Sequence, residues 1–178
     1  MPIVISTPRL ILRHWTEEDK PFFAALNADE RVMEFFPSLL TREESDAMVD
    51  RIQTAMERNG FGMWCVEIPG EIKCAGFIGV GIPKMETDFT PCVEIGWRLA
   101  FDQQGKGYAT EGANACMNYA RDILKLKDIV AFTVPKNVKS RNVMEKLGMK
   151  YEKDFLHPSV ADDSPLKLHV LYRKRFHD

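Results

Sequence analysis

The chain is short of most features that would assign a function quickly. No apolar run approaches the length of a membrane span. The first residues, MPIVISTPRLILRHW, lack a basic region followed by an apolar core and a small-residue cleavage site, so no signal peptide is read there. The formal net charge is only -2, which gives no global attraction to nucleic acid or to an anionic membrane. The four cysteines, Cys65, Cys74, Cys92 and Cys116, form no C-x-x-C pair and read as buried free thiols in a reducing cytoplasm. The four histidines, His14, His157, His169 and His177, show no H-x-x-x-H spacing, so no metal site is expected. No repeat, linker or low-complexity tract divides the 178 residues, and one domain over residues 1–178 is the expectation.

The patterning that remains is that of a mixed chain. Two short apolar runs flank Thr7-Pro8 and read as an edge strand or a broken strand. Thr16 with Asp19 suggests a cap, and Phe22, Phe23, Leu26 and then Val32 and Phe36 keep helical spacing as far as Pro37. Thr41 and Glu44 complete a capping box for a second helix with a stripe of Met48, Ile52, Ala55 and Met56, ended by Asn59-Gly60. FGMWCVEI and KCAGFIGVGI read as a hairpin about PGE, and CVEIGWRLAF as a third strand. A helix over 107–124, with Ala109, Ala113, Cys116, Ala120 and Ile123 on one face, joins that strand to DIVAFTV. A short helix from Asn137 to Leu147 and two closing strands complete an α+β order. Strand–helix–strand from Cys92 to Val134 implies two parallel strands and a crossover.

The stretch Gln104-Gly105-Lys106-Gly107-Tyr108-Ala109 carries the chemistry. A nucleotide P-loop needs G-x-x-x-x-G-K-[ST], and here Lys106 precedes Gly107. A dinucleotide fingerprint needs a third glycine where Thr110 stands. A different pyrophosphate turn, Q/R-x-x-G-x-G/A, fits. The first N–H groups of a helix have no internal partner and, with the helix dipole, make an anion site. Glycines let the backbone close on phosphates, and Lys106 adds charge. A plain tight turn into the helix is the alternative.

VEIGWRL, QGKGYATEG and NVKSRNVMEKLGM, in that order, resemble the GNAT acetyltransferases. TPRLILR, and FIGVGI before VEIGW, resemble the branch that includes the ribosomal-protein N-terminal acetyltransferases. The resemblance implies a mixed, twisted sheet whose central parallel strands, Cys92–Phe101 and Asp128–Val134, splay apart around acetyl-CoA, with helices on both faces. It implies main-chain pairing of the pantetheine arm near Arg98 and Leu99. It implies pyrophosphate amides over Gln104, Gly105, Lys106, Gly107, Tyr108, Ala109 and Thr110. Asn137 would contact the pantetheine, with Asn142 and Lys146 near the CoA exit. Lys136, Lys139 and Arg141 form a basic cluster beside the CoA phosphates or a solvated helix face.

The implied reaction moves an acetyl group from acetyl-CoA to a primary amine, on a protein N-terminus or a small molecule. Glu94 would act as base, directly or through water, or would instead pair with an arginine. Many relatives carry an acidic Tyr four residues after the serine of N-x-x-S; that position is Met144 here, which donates nothing. Ser140 then serves the thiolate, or is a helix-terminal hydroxyl bonded to backbone or CoA; Tyr108 and Tyr151 are outside candidates. Phe35, Phe36 and Trp64 would line the acceptor side, with His157, Asp162, Asp163 and His169 contributed by the tail. The alternative class is an acetyl-CoA-binding regulatory module without turnover. Relatives suggest a possible homodimer. No nucleic acid, membrane or metal partner is expected.

Overall fold

The computed structural model describes residues 3–177. Its backbone is an eight-stranded sheet in the order β1-β2-β3-β4-β5-β6-β8-β7, with four helices. β1 (Ile5–Ser6) and β2 (Ile11–Arg13) are the two runs around Thr7-Pro8, folded against each other as an antiparallel pair. A 3₁₀ turn at Glu17–Asp19, closed by reciprocal bonds between Thr16 and Asp19, leads into α1 (Lys20–Asn27). α2 (Arg42–Asn59) starts on the Thr41/Glu44 capping box. β3 (Met63–Glu67), β4 (Gly76–Gly81) and β5 (Glu94–Leu99) form a meander. α3 (Tyr108–Asp122) crosses over to β6 (Asp128–Thr133). α4 (Val138–Lys146), β7 (Lys150–Leu156) and β8 (Leu168–Arg175) end the chain. No helix among the described residues is long and apolar enough to cross a membrane.

Strand alternation sorts the sheet into two buried faces. Phe77 meets Phe23 of α1 at 6.0 Å between rings, so Phe77 and its register partner Arg98 face α1 and α2. Ile78 lies against Gly112 of α3 on the other face, where an added Cβ would overlap its Cδ1. Trp64, paired with Ile78, shares that second face and packs edge-on to Tyr119 at 5.4 Å. Helices therefore cover both sides of the sheet.

Three readings change in detail. α1 stops at Asn27 instead of running to Phe36, because the Asp29 carboxylate takes the Arg31 N–H at 2.9 Å and turns the chain. α2 buries Ser45, Val49 and Met56, so its inner face is rotated toward Val49. Ile123 lies past the end of α3 and is 65% exposed, not part of its core face. Along β8, Val170, Leu171 and Tyr172 are all buried and Leu168 is exposed; β6 pairs with residues 170–175 and stops short of Leu168.

The β3–β4 contact is tight enough to demand glycine. A Cβ on Gly79 would overlap the carbonyl oxygen of Gly62 and the Cα of Met63, which are backbone atoms and cannot swing aside. Gly79→Ala is expected to cost about 3 kcal/mol or more and to lower Tm by about 6 °C or more. Gly70→Ala, at φ +80 with nothing within 4 Å, should cost only about 1–2 kcal/mol of backbone strain. Thermal melts of the two variants beside wild type check the contrast, and equal losses would contradict it.

Candidate active site

β5 and β6 are parallel but share one register pair, Glu94 with Val130, closed by a 3.0 Å bond from the Val130 N–H to the Val93 carbonyl. β4 and β5, by contrast, stay in register from Gly76–Leu99 to Gly81–Glu94. Beyond Glu94 the two parallel strands diverge, and a cleft of ≈ 760 Å³ opens between them. The outward N–H and C=O groups of β5 past that point have no β6 partner, which leaves an edge that an extended ligand can pair with.

The start of α3 forms one end of the cleft. Gly105 and Gly107 both hold left-handed backbone, φ +73 and +84, which a side chain would strain. Gly107 is the α3 N-cap, and no side chain caps it, so the first amides of the helix remain free for an anion. Gln104, Gly105, Gly107, Tyr108, Ala109 and Thr110 all line the cleft. Lys106 does not; its ammonium turns to the Gln103 side chain at 3.2 Å, so only its charge and main chain serve the turn.

Sequence reasoning missed the residue that pins this turn. Arg9 donates to the Lys106 carbonyl at 2.9 Å and to Glu111 at 2.6 Å, and its guanidinium lies 4.5 Å from the centre of the Tyr108 ring. Thr7 bonds the same Glu111 at 2.7 Å. The TPR stretch thus anchors the helix start from the far edge of the sheet, a link no local pattern reveals.

α4 forms the opposite lip. Asn137 caps it, accepting from the Ser140 N–H, while its amide donates to Thr133 Oγ1 at 3.0 Å and Ser140 Oγ at 3.1 Å. Trp97 Nε1 also donates to Ser140 Oγ, at 3.3 Å. Both acceptor positions of that hydroxyl are therefore filled, and its own proton is left to donate. Asn137, Ser140, Asn142 and Lys146 line the cleft, as do Arg98 and Leu99 of β5. Lys139 reaches Gln104 at 3.5 Å across it. Arg141 turns away to the Pro135 carbonyl and the Tyr172 hydroxyl, so the basic cluster splits.

Glu94 sits where the strands part, and it lines the cleft. Among the described residues nothing pairs with its carboxyl; the expected alternative, an arginine partner, is not there. Burial alone pushes its pKa up to about 7. Phe35 and Phe36 line the α1/α2 side of the cleft. Trp64 does not: it is fully buried on the α3 face, because odd and even residues of β3 point to opposite sides. His157 borders the cleft with its ring 4.8 Å from His169, in a cluster with Phe132 and Phe155. Burial and the neighbouring imidazole pull His169 down to about 4. Asp162 pairs with Lys167 at 3.0 Å and stays in solvent, as does Asp163. Tyr151 is exposed and bonds Asp154, outside the cleft; Tyr108 is buried within it.

One further group of ligand-type atoms exists away from the cleft. Asp19, Cys65 and Cys74 bring a carboxylate oxygen and two sulfurs within 4.8 Å of one another. The Asp19 oxygens are taken by Arg13, at 2.8 and 2.9 Å. The Cys65 thiol is held strongly protonated by its neighbour Cys74 and by burial. The cluster reads as a buried structural knot beneath β3.

Comparison with known proteins agrees with this geometry. The family model described as an acetyltransferase (GNAT) domain matches residues 9–150. The N-acetyltransferase YnaD of Bacillus subtilis (strain 168) is 30% identical, over 83% of this chain and 83% of that protein. The crystal structure of a GNAT-family acetyltransferase from Bacillus anthracis is 26% identical and superposes with a TM-score of 0.79, over 97% of this chain and 98% of that one. The ribosomal-protein-S5-alanine acetyltransferase of Vibrio fischeri shares the fold at TM-score 0.77, over 97% of this chain and 96% of that one, with 18% identity.

The raised Glu94 pKa has a sign that stability measurements can read. Between pH ~4.5 and ~7 the folded chain keeps a proton that the unfolded chain has lost, so stability falls as pH rises through that window and is flat beyond it. His157 and His169, both lowered, work in the opposite direction below pH ~6.5. The difference between wild type and Glu94→Gln isolates the carboxyl. Wild type is expected to lose stability relative to the variant as pH climbs from 5 to 8, by urea titration, and a flat difference would contradict a buried, unpaired Glu94.

Proposed function

The chain belongs to the GNAT acetyltransferase family, and on that premise we propose that it transfers an acetyl group from acetyl-CoA to a primary amine by direct attack, with both substrates bound. The observation that carries the reading is the coincidence of three features in one cleft. An unpaired strand edge, a glycine helix start and a carboxyl with a pKa near 7 all face it.

The residues present fit acetyl-CoA. The β5 edge past Glu94, which has no β6 partner, suits the amide-bearing pantetheine arm, with the Gln104 amide already holding the Leu99 carbonyl at 3.1 Å. The amides from Gly105 to Thr110, backed by Arg9 and Lys106, suit the pyrophosphate. Asn137, Asn142 and Lys146 on the α4 lip suit the remainder of the arm and its exit. Acetyl-CoA supplies an activated thioester.

Glu94 removes the proton that keeps the amine from attacking. A free α-amino group has a pKa of ~8 and a lysine ~10.4, and a base near 7 takes that proton efficiently at neutral pH. Ser140 donates its outward-facing hydrogen bond to the departing thiolate, Asn137 and Trp97 hold the hydroxyl in that orientation, and the second proton shed by the nitrogen as it becomes an amide goes to the thiolate. The bond made is nitrogen to carbonyl carbon, and the bond broken is carbon to sulfur. The acceptor enters over the α1/α2 face, where Phe35 lines the cleft and Trp64 does not.

Calorimetric titration with acetyl-CoA is expected to give binding that Gly107→Trp abolishes, since that position needs left-handed backbone and its Cβ would stand 3.2 Å from Arg9 Nη2. Thiol release with an amine panel should show an ascending limb in kcat/KM with an apparent pKa near 7. Glu94→Gln should remove that limb and lower kcat about 10²–10⁴-fold, and Ser140→Ala should lower it about tenfold or more. Tight binding with no thiol release against any amine would favour a regulatory module, to which Met144 in place of a Tyr is the one pointer. No binding would overturn the reading.

A further inference from the structure

Arg98 carries a charge that the chain itself does not neutralise. It lies on the cleft face of β5 with Glu94 and Gly96, between α2 and the sheet. Its Nη1 donates to Asn27 Oδ1 at 2.8 Å and contacts Met48 Sδ at 3.7 Å. Asn27 is in turn fixed by a 3.0 Å bond from its amide to Ser45 Oγ. Phe36 lies against the guanidinium with its ring centre 4.2 Å away, and Phe77 at 5.4 Å. Among the described residues no carboxylate pairs with it. Nε is buried with no hydrogen-bond partner, and the side-chain bonds of the guanidinium are both made by Nη1. Burial pulls the group down to about 10, the direction expected of a cation without a counter-ion.

Such an arrangement is costly. A buried charge without a counter-ion is destabilising, and the chain nevertheless fixes it with a dedicated amide and two rings. Nε is sealed from solvent, so Nη2 is the open corner at which a carboxylate can meet the guanidinium. Resting on the acetyltransferase reading, we propose that Arg98 is the anion subsite of the acceptor pocket, and that the acceptor is a small amine joined through an apolar body to a carboxylate.

The spacing sets the shape of that molecule. Glu94 and Arg98 are four residues apart on one strand face, so their Cα atoms are separated by about 13 Å. The amine and the carboxylate cannot share one carbon if each is to meet its residue; several bonds must lie between them. The floor between the two is Gly96, over which the Met63 side chain lies, with an added Cβ 3.4 Å from Met63 Cε. Phe77, Met48 and Ile52 form the walls. Apolar walls between a base and a cation suit a carbon chain or ring carrying opposite charges at its two ends. Only polar end groups then lose water, and both are compensated.

The test uses matched pairs: ω-amino carboxylates from 4-aminobutanoate to 8-aminooctanoate, each beside its own carboxamide. Wild-type kcat/KM should favour the acid over its amide by about tenfold or more for at least one chain length. Arg98→Gln should bring that ratio to about one, and Arg98→Lys, which keeps charge but not the planar fork, should leave it intermediate. A second readout needs no turnover and no variant. Calorimetry should detect 6-acetamidohexanoate, or the homologue matching the best acceptor, binding wild type at least tenfold more tightly than its amide. Acid-to-amide ratios near one throughout the series, in turnover and in binding, would overturn the subsite. Selective binding of the acid with no heat from acetyl-CoA would overturn the acetyltransferase reading and leave the anion site standing. Heat from acetyl-CoA with no acid preference does the reverse.

Discussion

The single register pair between Glu94 and Val130 governs the rest of this molecule. A parallel pair in a sheet interior ordinarily runs on as a ladder, and each bond it forgoes leaves a donor and an acceptor to be satisfied elsewhere. Here the ladder stops after one rung. The chain tolerates this because both strands are secured on their other sides. β5 keeps β4 from Leu99 to Glu94, and β6 keeps β8 from Asp128 to Thr133. The gap is thus a built feature of a rigid frame. Its unpaired β5 edge, its walls from α3 and α4, and the position of Glu94 at its apex are consequences of where the ladder ends.

Burial in that gap sets the charge states. Glu94 and Arg98 occupy one face of one strand, and desolvation acts on both in opposite directions, raising the acid and lowering the base. Neither finds a counter-charge among the described residues, and at this spacing they do not find each other. Two unmatched groups of opposite sign on one wall, with glycine and methionine between them, describe a zwitterionic guest more readily than a structural ion pair. The histidine pair at the other rim adds no charge at neutral pH, since burial keeps His169 neutral.

Sequence patterning disclosed elements that local rules determine. The Thr41/Glu44 box, the helix start at Gly107 and the β5–α3–β6 crossover stand where capping and periodicity put them. What it misjudged depended on partners distant in sequence. Trp64 and Met63 are neighbours in β3, and only the identity of the face that α3 covers decides which of them meets the cleft. Arg141 was grouped with Lys136 and Lys139 by proximity, yet one turn of α4 directs it to Tyr172. Arg9, about a hundred positions from Lys106, had no local signature at all. Arg98 stood in a motif whose main chain attracted attention, and nothing in VEIGWRL says that its side chain would lack a carboxylate. Absence of a partner is a property of the folded state only.

Methionine at position 144 suits the same packing. Met144 is 2% exposed and belongs to the core, although its edge reaches the cleft. A phenol there would need its hydroxyl to find a partner or water, and methionine needs neither. The hydroxyl proposed to hydrogen-bond the departing thiolate is that of Ser140, one turn earlier on α4. A serine hydroxyl is ordinarily an indifferent donor because it rotates among acceptors. This one is deprived of that freedom: two N–H groups, from Asn137 and Trp97, occupy its oxygen, and the remaining hydrogen has only the cleft to point into. Trp97 alternates with Arg98 along β5, so the strand that carries Glu94 on one face steadies the Ser140 hydroxyl from the other. The orientation of that hydroxyl is thus set by the strand that carries Glu94.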